Sequence, residues 1–291
     1  MNPTIENKSK ALLFIFACIV LWSFIPVVSR LGQQNLDNYQ FLFWSSILSF
    51  IVLLASTIFT GKVQSLKNYN RNQIFTALGL GFLGTFLYYL LLYFGYANAK
   101  GLEVLVIQYT WPIFIVFFSF LFLKEKITSR NILAIILGFL GVVIVLTKGN
   151  FESVHLSNLS TDFIVLLAAA VFGLFSVLSK KVNFEPFSAT LLFFLSATIF
   201  SFFAMLFFSI FAIPTTNELI PILGNGILIN GFSYILWLRG LSFAKASFLA
   251  PFVFLTPILA AILIVLFFQE VFLPVYILGL ILVISAGLVS K

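Results

Sequence analysis

Long apolar runs separated by short polar segments fill most of this 291-residue sequence. About 20 mainly apolar residues are needed to cross a lipid bilayer, and ten runs approach or exceed that length. They cover residues 11–28, 41–59, 74–97, 102–123, 132–146, 163–178, 189–213, 219–243, 248–268 and 272–289. A backbone in lipid must satisfy its own hydrogen bonds, so each run is predicted to be a transmembrane helix. The predicted fold class is therefore an all-α integral membrane protein with ten transmembrane helices.

Composition and charge agree with this interpretation. Only 9% of the residues are charged, whereas a soluble domain carries about 25%. If the N-terminus is cytoplasmic, 13 of the 16 Lys and Arg residues lie inside, and Arg30, Lys100 and Lys148 lie outside. The positive-inside rule therefore predicts a multi-pass protein of the cell (inner) membrane with both termini cytoplasmic. Because the loops account for the net charge of +7, no nucleic-acid partner is predicted.

The sequence also repeats itself at an offset of 145 residues. The offset pairs Gly79 with Gly224, Gly81 with Gly226, Tyr89 with Tyr234, Gly95 with Gly240, Ala99 with Ala244, Lys100 with Lys245, Pro112 with Pro257 and Glu125 with Glu270. Such self-similarity indicates an internal duplication, with repeats at 1–150 and 151–291. Five spans per repeat is an odd number, so the second repeat should be inverted relative to the first. Inverted repeats place substrate sites near the membrane midplane and work by alternating access.

A motif at the end of the fourth run carries a family resemblance. It reads Pro112 followed by Phe122-Leu123-Lys124-Glu125, and a variant, Pro257 followed by Phe267-Phe268-Gln269-Glu270, ends the ninth run. With two five-helix halves, the chain resembles the EamA branch of the drug/metabolite transporter superfamily. The resemblance implies a ten-helix transporter of small organic metabolites, commonly an exporter of amino acids. The segment Gln108-Tyr109-Thr110-Trp111-Pro112 is similar to the N-Y-L-W-P segment of aromatic amino acid exporters.

Polar and aromatic side chains in the middle of the runs are the candidate site. Buried amides and phenols are costly in hydrocarbon unless they face a partner or water. The predicted substrate-binding residues are Trp22, Tyr89, Gln108, Trp111, Asn230, Tyr234 and Trp237. Pro26, Pro112 and Pro257 are predicted to break helices and to serve gating. Helix–helix packing is the alternative role for all of these side chains. Arg30, Lys180 and Arg239 border the runs, where they either meet a substrate carboxylate or extend to the headgroups.

Other functions receive less support from the residues. The glycines at 79, 81 and 84 match a dinucleotide-binding fingerprint, but they lie inside an apolar run, where small residues let helices pack closely. No cofactor or metal site is predicted, and Cys18 is the one cysteine. The sequence lacks HExxH and GxSxG, so an enzyme is not predicted. The leading hypothesis is a secondary active exporter of small organic metabolites, with amino acids as the first candidates, that works by alternating access as a monomer or homodimer in the bilayer. A membrane enzyme or a non-transporting partner or receptor remains an alternative.

Overall fold

The computed structural model describes residues 6–99, 101–153, 158–269 and 271–290, and within these ranges it contains helices and no strand. Nine helices of this described part are long and apolar enough to cross a membrane. They are α1 (Lys8–Gly32), α2 (Asn38–Phe59), α3 (Arg71–Tyr96), α4 (Glu103–Leu123), α5 (Ser129–Leu146), α6 (Leu159–Val182), α7 (Pro186–Phe208), α8 (Thr216–Phe243) and α9 (Ala246–Phe268). A further apolar helix, α10 (Val275–Val289), has 15 residues. The all-helical membrane architecture agrees with the prediction, and the last span is shorter than expected.

Two helices are shorter than their apolar runs. The run 189–213 is helical only to Phe208. Pro214 disfavours helix in the residue before it, Ile213. The extended segment that follows is held by α2, where Gln40 and Trp44 donate to two of its carbonyl oxygens at 2.8 and 2.9 Å. Likewise, α10 begins only after Pro274. Hydrophobicity alone therefore overestimated the length of both helices.

Three helices are interrupted beside a proline. Helix α1 breaks at Phe24, next to Pro26, and α4 has a turn at residues 109–110, before Pro112. In α9 a 3₁₀ segment, Ala250–Phe254, contains Pro251 and precedes the α-helix that contains Pro257. Proline lacks an N–H and crowds the preceding turn, so the helix cannot continue regularly through it.

Close helix contacts recur at the repeat offset. A Cβ on Gly81 of α3 would lie 2.5 Å from the Cα atom of Phe193 in α7. A Cβ on Gly226 of α8 would lie 2.9 Å from the Leu48 side chain of α2. Gly81 and Gly226 are 145 positions apart, and so are their partners Leu48 and Phe193. The two contacts are therefore equivalent under the repeat offset. A π-helical segment accompanies each contact, at Phe82–Leu87 in α3 and at Gly224–Phe232 in α8.

A second pair of contacts relates α1 to α6. Val165 of α6 fills the space beside Gly95, and Ile15 of α1 fills the space beside Gly240, at 2.3 and 2.5 Å from the position of a Cβ. The two glycines are separated by the repeat offset, whereas Ile15 and Val165 stand 150 positions apart. Positions in α1 and α6 therefore correspond at an offset of 150.

The helix ends define two faces of the bundle. On the N-terminal face, where α1 begins, the N–H group of Asn7 donates to the carbonyl oxygen of Phe243 at the end of α8 (2.9 Å). On the opposite face, where α1 ends, Gln40 at the start of α2 donates to Ile210 after α7 (2.8 Å). Helices that begin on one face end on the other, so the bundle has two faces that a membrane would separate.

Two charged side chains hold the α8–α9 linker on the N-terminal face. Lys180 donates from Nζ to the carbonyl oxygens of Leu241 (2.6 Å) and Ala244, which end α8. Glu125, which is 8% exposed, accepts from the N–H of Ala246 (2.9 Å) and from the N–H and hydroxyl of the next residue (3.0 and 2.6 Å). A cation at a helix C-terminus and a carboxylate at a helix N-terminus both suit the helix dipole. The linker is thus fixed at both ends.

Candidate functional site

A cavity of about 750 Å³ lies between α1, α3, α4 and α9. This volume falls within the range of about 300–1,000 Å³ that is common for small-molecule sites. The lining comes from the second half of α1, the start of α2, the end of α3, the start of α4, the end of α5 and the second half of α9. All of these segments lie toward the face on which α1 ends, which is opposite the N-terminal face. Its hydrogen-bonding lining includes Arg30, Tyr88, Tyr89, Tyr96, Gln108 and Tyr109.

Exposure of these side chains shows where the cavity opens. Tyr96 is 39% exposed, whereas Tyr88 and Tyr109 are buried at 6% and 9%. Gln108 joins the two levels, because its Nε2 donates to the Tyr88 hydroxyl (2.8 Å) and its Oε1 accepts from the Tyr96 hydroxyl (3.1 Å). The cavity therefore opens toward the opposite face, and Tyr88 and Tyr109 lie at its inner end.

A cluster of five buried aromatic side chains lies near the inner end of the cavity. This aromatic cluster consists of Trp22, Trp111, Phe172, Tyr234 and Trp237. The ring centroid of Trp22 lies 5.3 Å from that of Trp237 and 6.1 Å from those of Trp111 and Tyr234. Rings in tilted or edge-to-face contact at these separations attract one another beyond the gain from burial. The cluster joins α1, α4, α6 and α8.

The aromatic cluster is connected to the cavity, and two of its indole N–H groups donate to serine hydroxyls. Phe172 contacts Tyr88 at the inner end of the cavity, with ring centroids 4.8 Å apart. The Trp22 indole donates to the Ser233 hydroxyl (2.7 Å). The indole of Trp237 donates to Ser176 Oγ (3.2 Å). A membrane interior offers no water to these donors. The two serine hydroxyls therefore satisfy the indole groups where the tryptophans block the path from the cavity toward the N-terminal face.

The structure places the predicted residues in two groups. Tyr89 and Gln108 line the cavity, as do Pro26 and Pro257. Trp22, Trp111, Tyr234 and Trp237 are brought together in the aromatic cluster and do not line the cavity. Asn230 and Pro112 are buried, and they also lie outside the lining. Substrate binding by any of these residues stays a prediction.

Sequence reasoning missed several residues of this region. Tyr88 and Tyr109 reach the cavity, and each is the immediate neighbour of a residue that was proposed. A helix turns 100° per residue, so a wide cavity can reach both neighbours. Phe172 carries no polar group and gave no signal among the other phenylalanines. The repeat does provide a signal for Phe172, because the offset of 150 between α6 and α1 pairs it with Trp22, a predicted site residue.

Electrostatically the cavity is almost neutral. Among its described lining residues Arg30 is the one charged side chain, and it stacks over the Phe268 ring at 4.1 Å from the centroid. The other polar groups are phenols, amides and a hydroxyl. In the parts of the chain that the structure describes, no group of three His, Cys, Asp or Glu side chains could hold a metal.

Comparison with known families identifies the class of protein. The model of the EamA-like transporter family matches residues 9–147 and, a second time, residues 159–290. The chain belongs to the EamA-like transporter family. It is therefore a multi-pass membrane transporter. The match covers both halves of the chain, including the motif that follows Pro112; the motif residue Glu270 and the repeat position Lys100 lie outside the described residues.

Individual relatives of this EamA-like chain are also transporters by name. An uncharacterized transporter of Clostridium kluyveri is 25% identical over 289 residues, covering 97% of this chain and 93% of the relative. A protein of Rickettsia prowazekii named S-adenosylmethionine uptake transporter is 22% identical over 280 residues, with 93% and 88% covered. A crystal structure with 18% identity matches with a TM-score of 0.86 over 98% of both chains, which supports the fold alone.

Proposed function

We propose that this EamA-like protein exports amino acids by alternating access. In this proposal, residues 1–150 and 151–291 form two inverted five-helix repeats with ten membrane spans. One cavity is exposed to one side of the membrane at a time. The observation that carries the proposal is the cavity of about 750 Å³ open at one face and blocked at its inner end.

Support for two related halves comes from packing and from the family match. The contact of Gly81 with Phe193 recurs as that of Gly226 with Leu48, with the roles of the repeats exchanged. The family model matches the chain twice, over similar lengths. Two similar halves with opposite orientation can tilt against each other so that either side opens.

The blocked side of the cavity supports an alternating mechanism over an open pore. From the inner end of the cavity, the path to the N-terminal face meets the aromatic cluster. Beyond it the α8–α9 linker is held by Lys180 and Glu125. A substrate in the cavity would cross only after these contacts rearranged.

The lining favours a small molecule that combines polar ends with an apolar body. The amides, the hydroxyl and the phenols of the lining can bind a zwitterion, and the phenol rings can stack on its side chain. A polyanion would require several cations, because unpaired charge is costly within the membrane. S-adenosylmethionine is a second candidate substrate, since it contains an amino acid group and two relatives are named as its uptake transporters.

The proposed orientation has both termini in the cytoplasm of a cell (inner) membrane. It is supported by the 13 basic residues assigned to that side. The cavity would then open to the outside, as after release of an exported substrate. The direction of transport rests on the family resemblance.

Counterflow in proteoliposomes tests the proposal. Vesicles loaded with unlabelled phenylalanine, leucine or threonine should accumulate the labelled amino acid transiently, and S-adenosylmethionine belongs in the same panel. Ala261→Phe, which places a ring in the cavity, should abolish counterflow. Leu133→Phe on the exposed surface of α5 is the matched control and should leave it intact. Counterflow with sugar phosphates but not with amino acids would contradict the substrate class. Flux without stimulation by the opposing substrate would indicate a channel.

A further inference from the structure

A second cavity lies on the N-terminal face, where α6 ends and α7 begins. This N-terminal cavity has a volume of about 330 Å³, and the end of α8 also contributes to its lining. The volume falls within the range of about 300–1,000 Å³ that is common for small-molecule sites. The lining includes two cations, Lys180 and Arg239, and one carboxylate, Glu185. These charges distinguish it from the nearly neutral larger cavity of about 750 Å³.

Buried aromatic rings separate the two cavities. Phe193 lines the N-terminal cavity and is 1% exposed, and its ring centroid lies 5.3 Å from that of Phe175. The Phe175 ring in turn lies 5.7 Å from that of Phe172, which contacts Tyr88 of the larger cavity. The two cavities therefore approach each other from opposite faces of the bundle, with the rings of Phe172 and Phe175 between them.

The repeat relates part of the two linings. The offset of 150 between α1 and α6 pairs Ser29 with Ser179 and Arg30 with Lys180. The first residue of each pair lines the larger cavity, and the second lines the N-terminal cavity. Inverted repeats present equivalent surfaces to opposite sides of a membrane. In the proposed inverted repeat, the N-terminal cavity is therefore the counterpart of the larger cavity.

Two oxygen atoms of residues that line the N-terminal cavity have unused hydrogen-bonding capacity. Ser179 is 5% exposed, and its Oγ has no hydrogen-bond partner in the described part of the chain. Glu185 accepts from the N–H of Ser188 through Oε2 (2.8 Å), whereas its buried Oε1 has no partner there either. Buried polar atoms of this kind are costly unless water or a ligand satisfies them. A ligand in the cavity would reach these oxygens after a side-chain rotation.

Opposite charges on two helices line the cavity without pairing. Lys180 already donates to the carbonyl oxygens of Leu241 and Ala244. Arg239, half-buried near the end of α8, has no side-chain hydrogen bond, ion pair or ring contact in the described part of the chain. Glu185, at the start of α7, therefore does not pair with it. An unpaired carboxylate and guanidinium in one cavity match the ammonium and carboxylate of a zwitterion.

We propose that the N-terminal cavity binds a small zwitterion, with its carboxylate at Arg239 and its ammonium at Glu185. This selects the first of the two roles that the sequence left open for Arg239. The inference deepens the proposed function, on which it rests only for the ligand being the transported amino acid. In that case the molecule would occupy the N-terminal cavity before it passes the rings of Phe172 and Phe175.

Ligands that carry one or both charges test the assignment. Phenylalanine carries both, N-acetylphenylalanine only the carboxylate and phenylalaninamide only the ammonium. Their binding is measured by calorimetry on the purified protein with Ala261→Phe, which fills the larger cavity. Adding Arg239→Gln should weaken phenylalanine and N-acetylphenylalanine by roughly 10- to 100-fold and leave phenylalaninamide within about 3-fold. Adding Glu185→Gln should instead weaken phenylalanine and phenylalaninamide and spare N-acetylphenylalanine.

The matched control is Arg71→Gln, an exposed arginine at the start of α3 that does not line the N-terminal cavity. It should leave all three affinities unchanged, and the thermal midpoint without ligand shows whether each variant is folded. Only contact with the separate charges produces the crossed pattern, because loss of packing would weaken all three ligands alike. Equal losses for all ligands, or no loss in either variant, would overturn the assignment.

The remaining outcomes separate this site from the proposed transport function. A crossed pattern without amino acid counterflow would support the site and refute amino acid export. Amino acid counterflow by the wild-type protein without the crossed pattern would overturn the site and leave the transport function standing. A lipid headgroup could offer the same two charges, so glycerophosphoethanolamine is included in the panel. Binding of this compound but not of phenylalanine, leucine or threonine would overturn the proposal, and so would the absence of any binding.

Discussion

Removing the Glu125 carboxylate should release the start of α9. Glu125→Ala takes three hydrogen bonds from the linker, with lengths of 2.9, 3.0 and 2.6 Å, and leaves the N–H groups of Ala246 and Ser247 without their acceptor. Loss of an N-cap costs about 0.5–2 kcal/mol, and hydrogen bonds to a charged group contribute about 1.5–3 kcal/mol each. Because water can reach part of the opened site, we expect a local loss of about 2–4 kcal/mol.

Hydrogen exchange of the backbone amides measures this loss directly. A free-energy change of about 1.4 kcal/mol corresponds to a factor of ten in an equilibrium constant. Exchange at Ala246 and Ser247 through local opening should therefore accelerate by roughly 30- to 1,000-fold. Glu125→Gln should give a smaller effect. Its amide oxygen still accepts one hydrogen bond, but its NH₂ group is itself a donor and cannot accept from the remaining N–H and hydroxyl groups.

Glu6→Gln is the matched control for the same linker. Glu6 pairs with Lys245 at 3.9 Å, and both side chains are about half exposed. Exposed ion pairs contribute little, so exchange in the linker should not change measurably. Unchanged protection of Ala246 and Ser247 in Glu125→Ala would show that packing, and not the carboxylate, holds the linker.

Three further predictions concern topology, the cavity and helix packing. In a cysteine-free background, Glu152→Cys should react with an impermeant thiol reagent in intact cells and Lys67→Cys only after permeabilisation; the reverse pattern would invert the orientation. Gln108→Leu removes the amide that links two cavity tyrosines, and it should reduce transport about 10-fold with a near-normal thermal midpoint; wild-type transport would assign Gln108 to packing. Gly81→Ala should destabilise by about 1–3 kcal/mol because it meets backbone at 2.5 Å, whereas Gly226→Ala meets a movable leucine side chain at 2.9 Å and should cost less. Equal thermal midpoints for the two variants would contradict this.

The sequence predicted the spans well because the hydrophobicity of a span is summed over about 20 residues, so that a few exceptions do not change the result. Irregular segments of α1, α4 and α9 lie within a few residues of Pro26, Pro112 and Pro257, since proline acts through local backbone chemistry; a role of these prolines in gating stays a prediction. The end of α7 was missed because apolar residues after Phe208 are as hydrophobic when extended as when helical. Their conformation depends on hydrogen bonds from α2, which is distant in sequence.

The site was predicted less completely than the helices. Helical spacing shows which side chains share a face, but not how closely the neighbouring helix packs on it. Trp22 and Trp237 were predicted to bind substrate. In the structure, however, Phe172 of α6 packs against Trp22, and Trp111 of α4 packs against Trp237. Glu125 was recognised only as part of a motif, because its partners Ala246 and Ser247 lie more than 120 positions further along the chain. Long-range contacts of this kind leave no local pattern.

The short helix α10 has a consequence for the surrounding lipid. Its 15 residues extend about 22 Å at 1.5 Å per residue, against a hydrocarbon core of roughly 30 Å. Val271 and Phe272 precede it and are apolar, but they are not helical, so their backbone cannot enter the hydrocarbon unsatisfied. Helix α10 packs on α5, where a Cβ on Gly279 would lie 2.9 Å from the Gly141 carbonyl oxygen. We expect the bilayer to thin beside this pair, at a cost of fractions of a kcal/mol per Å, and lipids with short acyl chains to gather there.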